Sequence, residues 1–233
     1  MIEITPIASG SSGNCYYVTD GTTPLLLDCG VSWRRAQQAL GYTTSQIAGC
    51  LLTHEHNDHA KALRDVIRAG IDVYASHGTI DMLGTSGHRL RLVAARQQVS
   101  IGTWQVLPFE TEHDAAEPLG FLLASGEDKL LYATDTFYVR YRFRGLTHIM
   151  IECNYALDLL RANVESGAVP PVLKNRLLKS HFSLEHVKEF LAANDLSRVQ
   201  EIWLLHLSRG NSDETQFKAA IQRATGKPVY VAR

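Results

Sequence analysis

The sequence has no long apolar run and no excess of charge of either sign. Its 23 basic residues nearly balance its 24 acidic ones, which gives a formal net charge of -1 at pH 7. Such a chain has no overall attraction for nucleic acid or acidic lipid, so any polyanion site has to be a local patch. No basic leader region opens the sequence, and no stretch approaches membrane-spanning length. We expect a soluble, cytoplasmic protein with no membrane partner.

Cysteine is scarce, and the sequence contains no C-x-x-C pair. The four cysteines are widely scattered, at Cys15, Cys29, Cys50 and Cys153. This spacing argues against a disulfide framework and against a thiolate zinc site, and it favours free thiols in a reducing compartment. The chain is long enough to bury a substantial core, and it has no linker, low-complexity segment or short-period repeat. We therefore predict a single domain over residues 1–233.

The apolar pattern predicts strands that alternate with helices. Residues 99–109 are predicted to form one strand, and residues 119–124 and 129–134 to form a hairpin. Ser32 and Ser183 are predicted to cap helices, and Asp213 opens a variant capping box. The mixture favours an α/β fold of two sheets with helices outside.

The most informative segment is residues 54–59, HEHNDH, which follow an apolar strand directly. The H-x-H-x-D-H spacing places two imidazoles on a tight turn, and a carboxylate and a third imidazole at the start of the next helix. Neutral imidazole and carboxylate oxygen suit zinc, manganese or iron(II) better than a metal that prefers thiolates. Three histidines in an ordinary polar turn are the alternative, but histidine is too rare to favour it. The predicted ligands are His54, His56, Asp58 and His59.

Three further polar residues stand at the carboxyl ends of apolar segments, as His54 does. They are His113, Asp135 and His206. If those strands lie side by side, their ends converge on one rim. Asp135 alone is weak evidence, because a turn-forming Asp is common at strand ends. Combined with the histidine turn, the three residues predict that seven ligands meet in one place.

These motifs resemble those of metallo-β-lactamase-fold hydrolases, and among them the YycJ/WalJ-type nucleases of bacteria and their phages. The tRNA 3′-processing endonucleases and the phosphonate-pathway cyclic phosphodiesterase are more distant likenesses. The resemblance covers nearly the full length and rests on SGSSGN (9–14), LDCG (27–30), THEHNDH (53–59), HDAAEP (113–118), TDT (134–136), IECN (151–154), SHFS (180–183) and LHLS (205–208). The histidine turn identifies the superfamily alone, whereas HDAAEP and the Glu-x-Asn after a strand point to the nucleases. The implied fold is an αββα four-layer sandwich of two mixed sheets.

The resemblance implies two divalent metal ions, which are zinc or manganese, with iron as a third choice. One ion takes His54, His56 and His113, the other takes Asp58, His59 and His206, and Asp135 bridges the two. By the same resemblance, Asp28 braces the histidine turn without binding a metal itself.

The implied reaction is attack on phosphorus by a hydroxide that bridges the two metals. Asp58, as a ligand and a hydrogen-bond acceptor, is predicted to orient that water. Glu152 and His181 match the acid–histidine pair that protonates the leaving alkoxide in the tRNA-processing relatives. A carboxylate beside an imidazole raises the imidazole pKa, as a general acid near neutral pH requires. The flanking Ser180 and Phe182 depart from the family pattern.

Two local basic patches are candidates for binding a polyanion. Residues 138–144, YVRYRFR, interleave Arg140 and Arg142 with aromatic rings, and Lys174 and Arg176 lead toward His181. Arginine beside stacking rings suits a nucleic-acid strand, although charge runs are usually just solvated faces. In the Gly-rich loop at 9–14, Ser11 and Asn14 are predicted to meet a phosphate, with a simple hairpin turn as the alternative. His186 is expected to be exposed in the first turn of its helix.

The sequence therefore predicts a metal-dependent phosphodiesterase with a DNA substrate, and the resemblance implies an exonuclease. The alternatives are a phosphodiesterase for a small or cyclic nucleotide and an RNA-directed nuclease. A thioester or lactam hydrolase is less favoured because it would leave the Glu152–His181 pair without a use. A non-catalytic binding module is disfavoured by seven intact ligand positions. The sequence leaves open the metal, the cleavage polarity and the oligomeric state.

Overall fold

The computed structural model describes residues 1–233, with thirteen strands and eight α-helices. The strands are β1 (Glu3–Ala8), β2 (Cys15–Thr19), β3 (Pro24–Leu27), β4 (Gly49–Leu51), β5 (Val73–Ala75), β6 (Leu90–Leu92), β7 (Val99–Ile101), β8 (Trp104–Glu110), β9 (Leu119–Ser125), β10 (Asp128–Ala133), β11 (His148–Glu152), β12 (Glu201–Leu205) and β13 (Val229–Val231). The helices are α1 (Trp33–Ala39), α2 (Asn57–Ala60), α3 (Leu63–Arg68), α4 (His77–Leu83), α5 (Leu157–Glu165), α6 (Pro171–Ser180), α7 (Leu184–Ala192) and α8 (Glu214–Thr225). None of these helices has the length and apolar character needed to cross a membrane.

The chain divides into two compact units. The first consists of residues 1–110, 115–128 and 233, and the second of residues 111–114 and 129–232. The prediction of one hydrolase domain over the whole chain stays a prediction.

A six-stranded mixed sheet, in the order β1 to β6, forms the centre of the first unit. β1, β2 and β3 pair antiparallel, and β3 to β6 pair parallel. The central strand β4 is buried along its whole length, as expected for a parallel strand that is covered on both faces. Because β3 and β4 are parallel, their carboxyl ends lie at one edge, where Asp28 and the histidine turn follow.

The core of the first unit joins the sheet to α3. On that helix Leu63 and Val66 are buried against the sheet. Each such side chain contributes about 1.5–3 kcal/mol when it is fully buried. Three cysteines also lie in this core, and all four in the chain are free thiols, as predicted. Burial raises the pKa of Cys15 well above its usual range, so this thiol is not poised to react.

Two details of the first unit differ from the prediction. The prediction of a single strand over residues 99–109 is wrong, because β7 and β8 form an antiparallel hairpin there. Gly102, with φ of +56°, makes the turn, and a side chain at this position would collide with Thr23. The strand β6 was not predicted, because its residues are partly or fully exposed and show no apolar alternation.

Asp20 joins the turn after β2 to the strands β8 and β9. Its carboxylate accepts hydrogen bonds from the backbone N–H groups of Thr22 and Thr23 and from the hydroxyls of Thr103 and Ser125. Burial disfavours the charge, but these hydrogen bonds outweigh it and hold the pKa of Asp20 well below its usual range. The carboxylate form is therefore part of the folded structure.

We expect Asp20→Asn to lower the free energy of unfolding at pH 7 by about 1–3 kcal/mol, because donors of the native network lose a charged acceptor. The folded pKa lies below the unfolded value, so the stabilisation is complete above the unfolded pKa and is lost as the pH falls. The difference between wild type and variant should therefore shrink below about pH 4. Urea unfolding at several pH values measures it, with Asp81→Asn on the exposed face of α4 as control. A difference that grows in acid would contradict the assignment.

The second unit is built on parallel strands β10 to β13. In the β11–β12 register Glu152 is opposite Leu205, so Glu152 lies at the same edge as His206, the residue after β12. Asp135 follows β10 by two residues and reaches that edge as well. Parallel pairing thus gathers three polar side chains that are far apart in sequence.

Helices of the second unit begin where the sequence predicted. The Ser183 side chain accepts a hydrogen bond from the backbone N–H of His186 at the start of α7, and Asp213 caps α8 through the N–H of Gln216. Their buried side chains recur at helical spacing: Leu184, Val187, Phe190 and Leu191 on α7, and Phe217, Ala220 and Ile221 on α8. This packing fixes α7, whose N-terminal cap follows directly on the segment that carries His181.

Candidate metal centre

The first unit carries a cluster of imidazoles at the turn between β4 and α2. The ring centroids of His54 and His56 are 4.7 Å apart, and those of His54 and His59 are 4.2 Å apart. Asp58 lies in the first turn of α2, with its Oδ2 3.7 Å from His59 Nε2. The structure thus brings together the four ligands predicted from the H-x-H-x-D-H spacing.

Asp28 fixes this turn through two hydrogen-bonding contacts. Its Oδ1 accepts the backbone N–H of Thr53 at 2.8 Å, and its Oδ2 lies 2.8 Å from His59 Nδ1. Asp28 and His59 are both fully buried. Because the carboxylate only accepts hydrogen bonds, Nδ1 of His59 carries the proton and Nε2 keeps its lone pair. That tautomer is the one in which an imidazole binds a metal through Nε2.

The second unit carries another cluster at the carboxyl edge of its parallel strands. Potential ligand atoms of Asp135, Glu152, His181 and His206 all lie within 4.8 Å of one another. His206 Nδ1 is 2.7 Å from Asp135 Oδ1 and 3.0 Å from Glu152 Oε1. His181 Nδ1 is 2.6 Å from Glu152 Oε1. The acid–histidine pair predicted from the sequence is therefore in direct contact.

His113 lies beside this cluster. Its Nδ1 donates to the backbone carbonyl of Ser180 at 2.9 Å, and its Nε2 lies 3.7 Å from Asp135 Oδ2. Burial lowers the pKa of His113, which favours the neutral imidazole. A neutral ring whose Nδ1 donates to a carbonyl presents the Nε2 lone pair, as a metal ligand must.

The buried carboxylates of the second unit control the charge of their neighbours. Burial alone would lower the pKa of His206, but Asp135 and Glu152 raise it to about 10. Glu152 likewise raises the pKa of His181 against the effect of burial, and the pKa of Glu152 itself is lowered. Two carboxylates buried together require positive charge beside them. Either protonated imidazoles or a divalent cation can supply that charge.

Backbone strain marks the same positions. Asp28, Asp135 and His206 have φ values of +58°, +43° and +51°, in the left-handed region that costs a non-glycine residue about 1–2 kcal/mol. Each follows the carboxyl end of a strand. Strain of this kind persists at functional sites, where it aims a side chain that regular geometry would direct elsewhere. No feature of the sequence predicted it.

The donor set of the two units fits divalent metal ions. The first unit offers three imidazoles and a carboxylate, and the second offers two imidazoles and a carboxylate. These are the seven predicted ligands: His54, His56, Asp58, His59, His113, Asp135 and His206. Nitrogen and oxygen donors without thiolate suit zinc, manganese and iron(II).

Two predicted substrate contacts lie in the loop at 9–14. Ser11 is exposed, whereas Asn14 is fully buried. Asn14 Oδ1 accepts the backbone N–H of Gly10 at 2.9 Å, and its Nδ2 lies 3.0 Å from His59 Nε2. Asn14 therefore holds the loop against the histidine turn. A contact of either residue with substrate stays a prediction.

The four predicted basic contacts all lie in the second unit but differ in their pairing. Arg140 forms an ion pair with Glu112, and Arg176 pairs with Asp114 at 3.0 Å. Arg142 is exposed and has no ion-pair partner, and Lys174 is half-buried on α6. Arg142 is thus the one arginine of residues 138–142 whose charge is not compensated within the chain.

The contact of Thr136 was not predicted from the sequence, and the exposure of His186 was predicted wrongly. The backbone N–H of Thr136 donates to Glu152 Oε2 at 3.0 Å, which holds the carboxylate that faces His181. The TDT motif was visible, but only the structure gives its third residue this contact. The prediction that His186 is exposed is wrong, because the packing of α7 leaves this residue half-buried, with its Nδ1 shielded from solvent.

Comparison with known proteins gives the family. Residues 8–170 match the Metallo-beta-lactamase superfamily. The chain therefore belongs to the metallo-β-lactamase superfamily. It is 30% identical over 227 residues to exodeoxyribonuclease YycJ of Bacillus anthracis, covering 91% of this chain and 84% of that protein. It is 28% identical over 223 residues to exodeoxyribonuclease WalJ of Streptococcus pneumoniae, covering 88% and 81%.

A solved structure has the same fold. The crystal structure of the metallo-beta-lactamase fold protein YhfI from Bacillus subtilis matches with a TM-score of 0.76 at 15% identity, covering 100% of this chain and 96% of that one. The predicted α/β fold of two mixed sheets with helices outside is confirmed, as is the resemblance to YycJ/WalJ-type nucleases. The protein is a metal-dependent hydrolase.

Proposed function

We propose that this hydrolase is a phosphodiesterase that degrades DNA, acting as an exonuclease. The observation that carries the proposal is the contact between His181 and Glu152 at 2.6 Å, beside the cluster of Asp135 and His206. An alkoxide that leaves phosphorus needs a proton, and this pair can supply one. A thioester hydrolase, by contrast, releases a thiolate, which leaves without needing a proton. The relatives in Bacillus and Streptococcus carry the name exodeoxyribonuclease, which supports DNA as the substrate.

The seven ligands are proposed to hold two divalent ions, zinc or manganese or iron, with the division that the family resemblance implies. His54, His56 and His113 would hold one, Asp58, His59 and His206 the other, and Asp135 both. Two such ions, when bound, neutralise charge on a phosphate and lower the pKa of water. The support from this chain is the chemistry of the donors and the tautomers of His59 and His113.

Residues of the chain then have distinct proposed tasks. Asp58 accepts a hydrogen bond from the attacking water and so orients it. His181 donates the proton that it holds on Nε2, because its Nδ1 faces Glu152 Oε1. Glu152 is a positioning residue, whose Oε2 accepts the backbone N–H groups of Thr136 and Phe182 at 3.0 and 3.1 Å. Two backbone donors keep the carboxylate, and hence the imidazole, in one orientation.

One panel of assays tests the proposed function. The purified protein, loaded with each metal in turn, is given end-labelled linear, nicked and single-stranded DNA, RNA and cyclic nucleotides. We expect mononucleotide release from linear and single-stranded DNA, and little turnover of RNA and cyclic nucleotides at equal concentration. Turnover of cyclic nucleotides or RNA alone would overturn the assignment of DNA as the substrate.

We expect Arg142→Glu to raise KM for DNA about tenfold at low salt, because a free cation of the basic segment becomes an anion. Arg140→Glu should have the smaller effect, since Glu112 already compensates Arg140. Steady-state kinetics on linear DNA at two salt concentrations measure both. Arg223→Glu on α8 changes the net charge equally and is the matched control. An equal rise in KM for all three variants would mean that only net charge matters.

A further inference from the structure

A cavity of about 290 Å³ opens in the second unit between residues 138–142 and helix α7. We propose that this cavity binds the nucleobase of the terminal nucleotide, so that the enzyme holds the end of a DNA strand by its last base. The inference rests on the proposed function and extends it to the form of substrate that the enzyme takes.

The lining of the cavity suits a flat aromatic ring. Phe182 and Phe190 are buried in its wall with ring centroids 6.3 Å apart, and Tyr141 is half-buried beside them. Bases taken out of a stack are held between aromatic and apolar side chains in this way. The volume is at the lower end of small-molecule pockets, which begin near roughly 300 Å³. A single base fits this space, and a duplex does not.

Polar groups in the lining favour a base over a phosphate. Nδ1 of His186 is shielded from solvent and has no hydrogen-bond partner. Glu189 places a carboxylate in the same lining, and this carboxylate would repel a phosphate. Base edges offer amino and ring N–H groups, for which a carboxylate and an imidazole are acceptors. Asn194 also lines the cavity, but it already bonds to Phe143 N and Phe190 O.

The two walls of the cavity are tied to the proposed catalytic pair. Phe182 follows His181 in the chain and donates its backbone N–H to Glu152 Oε2. On the other wall, the Thr136 hydroxyl donates to the Tyr138 carbonyl at 2.8 Å, and the Thr136 N–H donates to the same Glu152 Oε2. A base in the cavity is therefore held by segments that Glu152 also anchors. Arg140 and Arg142 line the cavity too, where they can meet the adjoining phosphate.

The test compares single-stranded DNA whose terminal nucleotide, at the 5′ or the 3′ end, is normal or lacks its base. We expect the wild type to hydrolyse one normal end about tenfold faster than the matching abasic end. Tyr141→Ala and Glu189→Gln should bring this ratio close to one. Tyr42 and Glu165 are exposed and lie outside the cavity, so the matched controls Tyr42→Ala and Glu165→Gln should keep the ratio of the wild type. Thermal unfolding of each variant reports folding, and Glu189→Gln alters an exposed side chain only.

The outcomes separate the two proposals. Equal rates on normal and abasic ends in the wild type would overturn the base-binding cavity and leave the nuclease proposal intact. If no DNA is hydrolysed, the proposed function fails, and a single-stranded oligonucleotide ending in 2-aminopurine then tests the cavity alone. Quenching of its fluorescence by the wild type and not by Tyr141→Ala would support the cavity, and no quenching would overturn it.

Discussion

We expect His56→Ala and Asp58→Ala each to reduce hydrolysis of linear DNA by about 10⁴-fold or more and to lower the metal content of the purified protein. Each substitution removes one proposed ligand, and Asp58→Ala also removes the acceptor that orients the attacking water. Metal analysis per polypeptide and the initial rate on end-labelled DNA measure the two effects.

These two positions separate loss of metal from loss of fold. The side chains of His56 and Asp58 are only half-buried, so truncation leaves no large cavity in the core. His59 is fully buried against Asp28, and replacing it would mix both effects. His88 is exposed, which makes His88→Ala the matched control with unchanged metal and rate. DNA cleavage that survives in the purified His56→Ala or Asp58→Ala variant would contradict the two-metal proposal.

His181→Ala is expected to slow DNA hydrolysis by about 10²–10⁴-fold while both metals stay bound. The reason is that the leaving alkoxide loses its proton donor, whereas the seven proposed ligands remain. On bis(p-nitrophenyl) phosphate the loss should be much smaller, because p-nitrophenolate leaves without a proton. Rates on the two substrates, measured with one metal-loaded preparation, give the comparison.

The metal content decides between two roles for His181. A potential ligand atom of His181 lies within 4.8 Å of those of Asp135 and His206. If His181 were itself a metal ligand, His181→Ala would lower the metal content. An equal loss of rate on DNA and on the small diester would argue against proton donation. His77→Ala, on the exposed face of α4, is the control for removal of an imidazole elsewhere.

Many of the candidate ligands and helix caps could be predicted, because they depend on residues close together in the sequence. The spacing of residues 54–59 placed the ligands on one turn, since the geometry of a strand, a turn and a helix start is nearly fixed. Helix caps at Ser32, Ser183 and Asp213 were found for the same reason, because a capping side chain binds a backbone N–H three residues away. The apolar segments before Asp135 and His206 identified strand ends, which parallel pairing then set side by side.

Other features depend on residues that meet only after folding. Glu152 and His181 are 29 positions apart, and their contact depends on where β11 ends and on how the start of α7 packs. Asn14 was predicted to contact substrate, yet its hydrogen bonds hold the histidine turn 45 positions away. Distances of this kind follow from packing, which periodicity in the sequence does not describe.

The sequence by itself determined the donor types, their order along the chain and the family, because these depend on residue identity and short spacing. Only the tertiary structure decided that Asp28, Asp135 and His206 adopt left-handed backbone conformations, and that Arg140 is paired while Arg142 is not. It also decided that aromatic and acidic side chains of α7 and residues 138–142 enclose a cavity. The physical reason is that strain, ion pairing and enclosed volume are properties of the packed chain, which local residue pattern does not encode.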